Sequence, residues 1–136
     1  MKLVFCFSGK TQQGPIKEIV DEYNKRLQKY VPTEVIEAKS LNPQTREGKH
    51  IVLVPDGSTL TSEGLAKLLD RYQLSGTKNL FFYIGGPDGL PKKVLEHADL
   101  SLSLSCMTYN HQLIRVMLLE QIYRAFTIIR GEPYHK

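Results

Sequence analysis

The sequence predicts an α/β fold, a mostly parallel sheet with helices on both faces. Two observations carry that reading. Short apolar runs rich in β-favouring residues, clearest at 1–7, 51–54 and 80–84, alternate with longer segments whose apolar residues recur at helical spacing. Strands separated by helices join through crossovers, which makes neighbouring strands parallel and places helices over the sheet. At 136 residues, 41% of them hydrophobic, the chain has the length of one domain with a substantial core, and no repeat or linker divides it.

The elements follow in order. Residues 1–7 read as a buried first strand closed by Ser8-Gly9. Pro15 suits the first turn of a helix, and Ile16, Ile19, Val20, Tyr23 and Leu27 keep one face of it apolar to about Tyr30. Pro32 stops that helix, and 33–38 form a second strand. The segment 39–50 turns polar, with Asn42-Pro43 and Gly48 as breakers, and reads as a mobile loop. A short third strand at 51–54 ends in the turn signal Pro55-Asp56-Gly57. Thr61 or Ser62 then caps a helix with Leu65, Leu68, Leu69 and Tyr72 inward. Residues 80–84 are the fourth strand, 91–98 a short helix, 100–106 a fifth strand and 112–129 the last and longest helix, followed by a tail.

Composition narrows the classes of function. The opening apolar run is too short for a secretion signal or a membrane span, so a cytoplasmic protein is expected. Cys6 and Cys106 both lie in apolar, strand-like surroundings and read as buried, unpaired thiols of a reducing compartment. The four histidines show no paired ligand spacing, and no metal is expected. The net charge of +4 is mild. Residues 1–50 hold nine Lys/Arg against six Asp/Glu, which reads first as a solvated face and is compatible with contact to phosphates.

Three stretches bear chemistry. Gly85-Gly86-Pro87-Asp88-Gly89 follows a strand, yet Ile84 stands where a dinucleotide fingerprint needs its first glycine, and no Gly-Lys-Ser/Thr follows. An ordinary NAD or ATP site is therefore excluded, and the run taken alone reads first as a tight turn. Together with the ends at Val54-Pro55 and 105–111, it forms one pocket of backbone N–H and C=O groups if those three strand ends are neighbours, suited to a flat adenine ring. On the last helix His111 and Arg115 project to one side, and Glu120 and Arg124 to the opposite side. That helix is otherwise apolar nearly all round, so Glu120 and Arg124 should satisfy something specific, each other in a dimer interface or an anionic substrate group. The tail Pro133-Tyr134-His135-Lys136 combines an aromatic ring with basic groups, the combination that stacks on a nucleobase and holds its phosphate.

Taken together, Ile84-Gly85-Gly86-Pro87-Asp88-Gly89-Leu90, the run Ser101 to Thr108, His111-Gln112-Leu113-Ile114-Arg115-Val116, Glu120-Gln121-Ile122-Tyr123-Arg124-Ala125 and Pro133-Tyr134-His135 resemble the ribosomal RNA large subunit methyltransferase H family of the SPOUT superfamily. The likeness runs over essentially the whole chain and is densest in the last 55 residues. It implies a single SPOUT-like methyltransferase domain over 1–136, with a C-terminal trefoil knot that topology rules would otherwise set aside. It further implies S-adenosyl-L-methionine as cofactor, held by Val54, Gly86, Ser105, Cys106, Met107, Thr108, Tyr109 and Asn110. The partners it implies are a second copy of the chain, in a homodimer built on the last helix, and large-subunit ribosomal RNA within the ribosome. The reaction it implies is methylation at N3 of a pseudouridine, with Arg124 orienting the base or phosphate, His135 removing a proton or orienting substrate, and Tyr134 stacking. His111 stands between a structural and a catalytic role. The segment 39–50 is too short to hold the further helix usual in this family, which bears on ribosome docking more than on the chemistry. The alternative reading is a non-catalytic knotted module that binds an adenosyl group or RNA.

Overall fold

The computed structural model describes residues 1–136. The elements run β1 (Lys2–Ser8), α1 (Pro15–Leu27), β2 (Thr33–Ala38), β3 (Lys49–Thr59), α2 (Ser62–Leu74), β4 (Asn79–Ile84), α3 (Lys92–Glu96), β5 (Leu100–Ser103) and α4 (His111–Arg130). Every strand pairing is parallel, and the order β2-β1-β4-β3-β5 puts β4 at the centre. The expected alternation of strand and helix therefore holds. The boundaries moved for reasons that matter at the site.

Successive strand residues face opposite sides of the sheet, so one strand feeds two cores. Leu3, Phe5 and Phe7 of β1 join Leu80, Phe82 and Ile84 of β4 under α1, α2 and α4, in the larger core. Val4 and Cys6 join Phe81 and Tyr83 on the other face, where the cover is only α3, through Val94, and the segment 39–48, through Leu41. Helices thus lie on both faces, but unequally.

The segment 39–48 is pinned, contrary to the mobile loop expected. Leu41 is buried, the Gln44 N–H donates to Tyr83 Oη at 3.0 Å, and the Arg46 guanidinium sits 5.5 Å from the Phe81 ring centroid while pairing with Glu34 at 3.0 Å. Single apolar and cationic side chains in a polar stretch have no periodicity to announce them, which is why pattern reading missed the cover.

Pro55-Asp56-Gly57 does not end β3. The strand continues to Thr59, with its register against β5 shifting between Leu53 and Ser58. The turn signal was a bulge. Pro55 has no N–H to give to a ladder, and a Cβ on Gly57 would stand 2.7 Å from the Leu102 carbonyl carbon, so this approach of the two backbones requires glycine. At the other edge β5 stops at Ser103 instead of reaching Cys106. The Ser103 hydroxyl donates to Ser105 O at 2.6 Å and the Met107 N–H to Ser105 Oγ at 3.1 Å, so serine side chains replace the ladder with a local turn. Cys106 is consequently exposed, and the expectation of a buried thiol is corrected. Cys6 is buried, and burial pushes its thiol up to about 12, so it stays protonated and inert.

Candidate functional site

The carboxyl ends of β3, β4 and β5 lie side by side and open into a cleft of about 360 Å³. Its floor is apolar, from Leu53, Ile84, Leu102 and Ile114. Its walls are the Gly85–Gly89 turn and the segment 104–110 leading into α4. The turn is closed by the Gly89 N–H donating to Gly86 O at 3.0 Å. A Cβ on Gly85 would meet the Gly89 backbone at 2.6 Å, so the fold itself requires glycine there. Of the eight residues expected to hold a cofactor, Val54, Gly86, Ser105, Met107, Thr108, Tyr109 and Asn110 line this cleft. Cys106 does not. Pro55, Gly85 and His111 line it as well.

α4 is fastened where it meets this cleft. The Asn110 side chain caps it by accepting the Gln112 N–H at 2.7 Å. Gln112 in turn bonds the loop after β1, accepting from the Gln12 N–H at 2.8 Å and donating to Lys10 O at 3.1 Å. One turn on, Arg115 is fully buried and donates to Ser8 O at 2.6 Å, Gly9 O at 3.1 Å and Thr11 Oγ1 at 3.0 Å, over the Phe7 ring. Its Nε alone lacks a partner. Glu37, 3.8 Å away, completes the group by accepting the Thr11 N–H and hydroxyl at 2.7 and 2.5 Å. Burial pushes the Glu37 carboxyl up, but those bonds and the Arg115 charge outweigh it and hold it below the ordinary carboxylate value. His111 and Arg115 do share a side of the helix, with different surroundings. His111 reaches the cleft, and Arg115 is structural.

The opposite side of α4 carries a second polar group. Glu120 accepts from Arg124 Nε at 3.2 Å and Nη2 at 2.8 Å, and from Tyr134 Oη at 2.9 Å. Since Tyr134 gives its proton to Glu120, the Tyr23 hydroxyl donates to Tyr134 across 3.1 Å. Burial, with these bonds, raises the Tyr134 phenol, which therefore stays neutral. Arg124 also covers the Tyr134 ring, 4.9 Å from its centroid, and its Nη1 points at His135 Nδ1 at 3.1 Å. A guanidinium only donates, so Nδ1 accepts and the imidazole carries its hydrogen on Nε2, which donates to Glu63 Oε1 at 2.6 Å. Hydrogen bonds from its own backbone N–H and from His135 hold the Glu63 carboxyl below its ordinary value.

Arg124, Tyr134 and His135 are thus brought together, and these bonds hold the tail against α4 and α2. Glu63 and Tyr23 complete the group and were not foreseen. Glu63 drew no reading from the sequence, and Tyr23 read as one of the residues on the apolar face of α1. No sequence signal links either to the tail. Within one chain this group lies outside the cleft lining, since Arg124 is 10 residues along α4 beyond Ile114, about 15 Å of helix.

The comparisons with known proteins agree with this architecture. A family model described as "Predicted SPOUT methyltransferase" matches residues 1–135. A protein of Coprothermobacter proteolyticus named ribosomal RNA large subunit methyltransferase H is 41% identical over 139 residues, covering all of both chains. Its namesake from Halothermothrix orenii is 42% identical, also over the whole of both, in an alignment of 159 residues against 136 in this chain. Among solved structures, a probable methylase family protein from Haemophilus influenzae Rd KW20 superposes with a TM-score of 0.65 at 8% identity, over 99% of this chain and 70% of that one. That last likeness supports the fold alone. On the full-length match of the family model and of relatives well above 30% identity, this chain belongs to the ribosomal RNA large subunit methyltransferase H family of SPOUT methyltransferases.

Proposed function

We propose that the chain is an S-adenosyl-L-methionine-dependent methyltransferase that modifies N3 of a pseudouridine in large-subunit ribosomal RNA, on assembled cytoplasmic ribosomes, as a homodimer. The observation that carries the reading is the cleft at the β3, β4 and β5 ends. Its apolar floor and backbone rim suit an adenine ring and ribose, and its volume falls at the small end of ligand pockets. The seven lining residues named above would hold the cofactor. The trefoil knot, formed by the segments after β4 and β5, is part of the same proposal. Bound there, the cofactor supplies an electrophilic methyl group on a sulfonium.

The chain's own residues must then orient the base and take the N3 proton. A base stacking on Tyr134 takes the place of the Arg124 guanidinium, which is freed to hold a phosphate or the base edge. Its departure also uncovers His135 Nδ1, whose lone pair it occupies in the free chain. His135 then accepts the N3 proton at Nδ1, while Glu63 holds the Nε2–H and stabilises the imidazolium. His111 stays at the cleft rim as a positioning group.

The separation along α4 supports the dimer. In one copy the tail docks about 15 Å along α4 from its own cleft, and a second copy packed on α4 would bring its tail to it. The outward stripe of that helix, Leu113, Met117, Glu120, Arg124 and Ile128, has apolar members left exposed or half-buried in one chain.

Two experiments test the proposal. Radiolabelled methyl transfer to ribosomes lacking the modification should yield one N3-methylpseudouridine per particle and little on naked RNA. No incorporation into either would favour the non-catalytic adenosyl- or RNA-binding module. Mixing Arg124→Ala with a cleft-blocked Gly86→Trp chain should restore part of the activity that each lacks alone. No recovery would remove the shared site.

A further inference from the structure

We infer that a second, polar trough beside the cofactor cleft binds phosphate oxygens of the RNA strand that carries the target base. The trough lies over the carboxyl ends of β2, β1 and β4 and has a volume of about 480 Å³. It shares Gly86, Pro87, Gly89 and His111 with the cleft, so the two form one continuous channel. Their chemistry differs. Nine of the cleft's 19 lining residues are hydrophobic, against one of the trough's 13, Leu41. A ring system has no place in the trough.

Its charge is aimed at an anion. Lys10 stands on the wall after β1 and Lys39 on the wall after β2, both exposed. Neither Lys10 nor Lys39 pairs with a carboxylate, a state shared with Lys25, Lys49, Lys67, Lys93 and Lys136, so what sets these two apart is their place on facing walls of the trough. His111 and Gln112, in the first turn of α4, add the positive end of the longest helix. The one acid in the lining is Asp88, so the two lysines outnumber it two to one. Flexible lysines are ordinary on a surface. Here, however, the wall carrying Lys10 is built at the expense of burying Arg115, whose three hydrogen bonds hold Ser8, Gly9 and Thr11, while Gln112 holds the Lys10 carbonyl. A rigid wall that presents an unpaired ammonium beside a methyl-transfer cleft is suited to fixing the strand while the base enters.

This inference rests on the RNA methyltransferase reading, and the test separates the two. Lys10→Gln/Lys39→Gln and the charge-keeping Lys10→Arg/Lys39→Arg chains are compared with the parent for ribosome methylation, for ribosome binding across a salt series, and for S-adenosylmethionine binding by calorimetry. The Gln pair should raise the ribosome KM about tenfold with kcat nearly unchanged, and lower the slope of log K against log salt by about two, one for each phosphate no longer neutralised. The Arg pair should keep the parental slope, and cofactor affinity should be the same in all three. A parental slope in the Gln pair overturns the proposal. So does a loss of cofactor affinity, which would assign the lysines to the cofactor's carboxylate instead. If the parent itself neither methylates nor binds ribosomes, the underlying reading fails first.

Discussion

The two ends of α4 each carry an arginine beside a glutamate, and they use it in opposite ways. Arg115 is wholly buried, bonded to two backbone carbonyls and a hydroxyl, with Glu37 at 3.8 Å from a different element. Arg124 keeps a quarter of its side chain exposed, has Glu120 one turn away on its own helix, and touches the C-terminal tail through His135. A charge sealed in and tied to backbone cannot leave without unfolding its surroundings. A charge at a half-open face, held by side chains, can exchange partners. The first end is built to stay and the second is free to change partners.

The largest effect that would sharpen this contrast is on stability. Arg115→Met should destabilise the chain by about 3–5 kcal/mol in urea titration, because the carbonyls and hydroxyl it serves are left buried and unpaired. Arg115→Lys should recover little, since one ammonium cannot reproduce the fork. Arg124→Ala should reverse the pattern, with a stability loss of about 1 kcal/mol or less, methylation down on the order of 100-fold and cofactor affinity retained. Equal stability losses at the two arginines would break the comparison.

A smaller effect is expected at Glu63. Glu63→Ala should lower kcat about tenfold, short of the 10²–10⁴ that a general base itself contributes. It should also move the acidic limb of the pH–rate profile, with Glu63→Gln recovering part of the rate. An unmoved profile would leave Glu63 as a cap residue only.

The smallest effect lies away from both ends of α4. His50 is buried against Phe81, and its Nδ1 meets Tyr83 Oη at 2.7 Å; burial lowers its pKa below the ordinary 6.5. A histidine kept neutral by the fold adds stability above its unfolded value, and that stability fades as pH falls below about 6.5. Denaturant midpoints measured between pH 7.5 and 5 should decline, and His50→Phe should flatten the decline.

What was legible in the sequence follows from what is local. Apolar runs, helical spacing and prolines at 15, 32 and 91 located every strand and helix, though not the ends of β3 and β5. The cleft was legible in part. The strand ends at Val54-Pro55, 84–89 and 105–111 could be marked in the sequence, but that β3, β4 and β5 are neighbours could not, and the set Val54, Gly86 and 105–110 came with the family resemblance. The polar group at the far end of α4 was half legible. Glu120 and Arg124 show their pairing by spacing, whereas Glu63 and Tyr23 meet the tail only through the packing of three helices. Pro55-Asp56-Gly57 gives a third case, a signal correctly located and wrongly named, because proline and glycine mark a bulge as readily as a turn. Cys106 misled because serine–leucine alternation looks like strand until the serine hydroxyls turn on their own backbone.

The unequal cover of the sheet has a consequence for how the molecule opens. Seven residues form the minor core, and a ten-residue stretch of loop with a five-residue helix shields most of it. Amide hydrogens should therefore exchange first along 39–48 and α3, long before β4, which is flanked on both sides by strands and buried from Leu80 to Ile84. Such opening exposes Phe81 and Tyr83 and loosens the trough wall that carries Lys39 and Leu41, while α4 and the tail stay packed on the other face. Breathing on that face therefore reaches the trough through Lys39, and an added segment over the thin face would slow the opening and steady that wall.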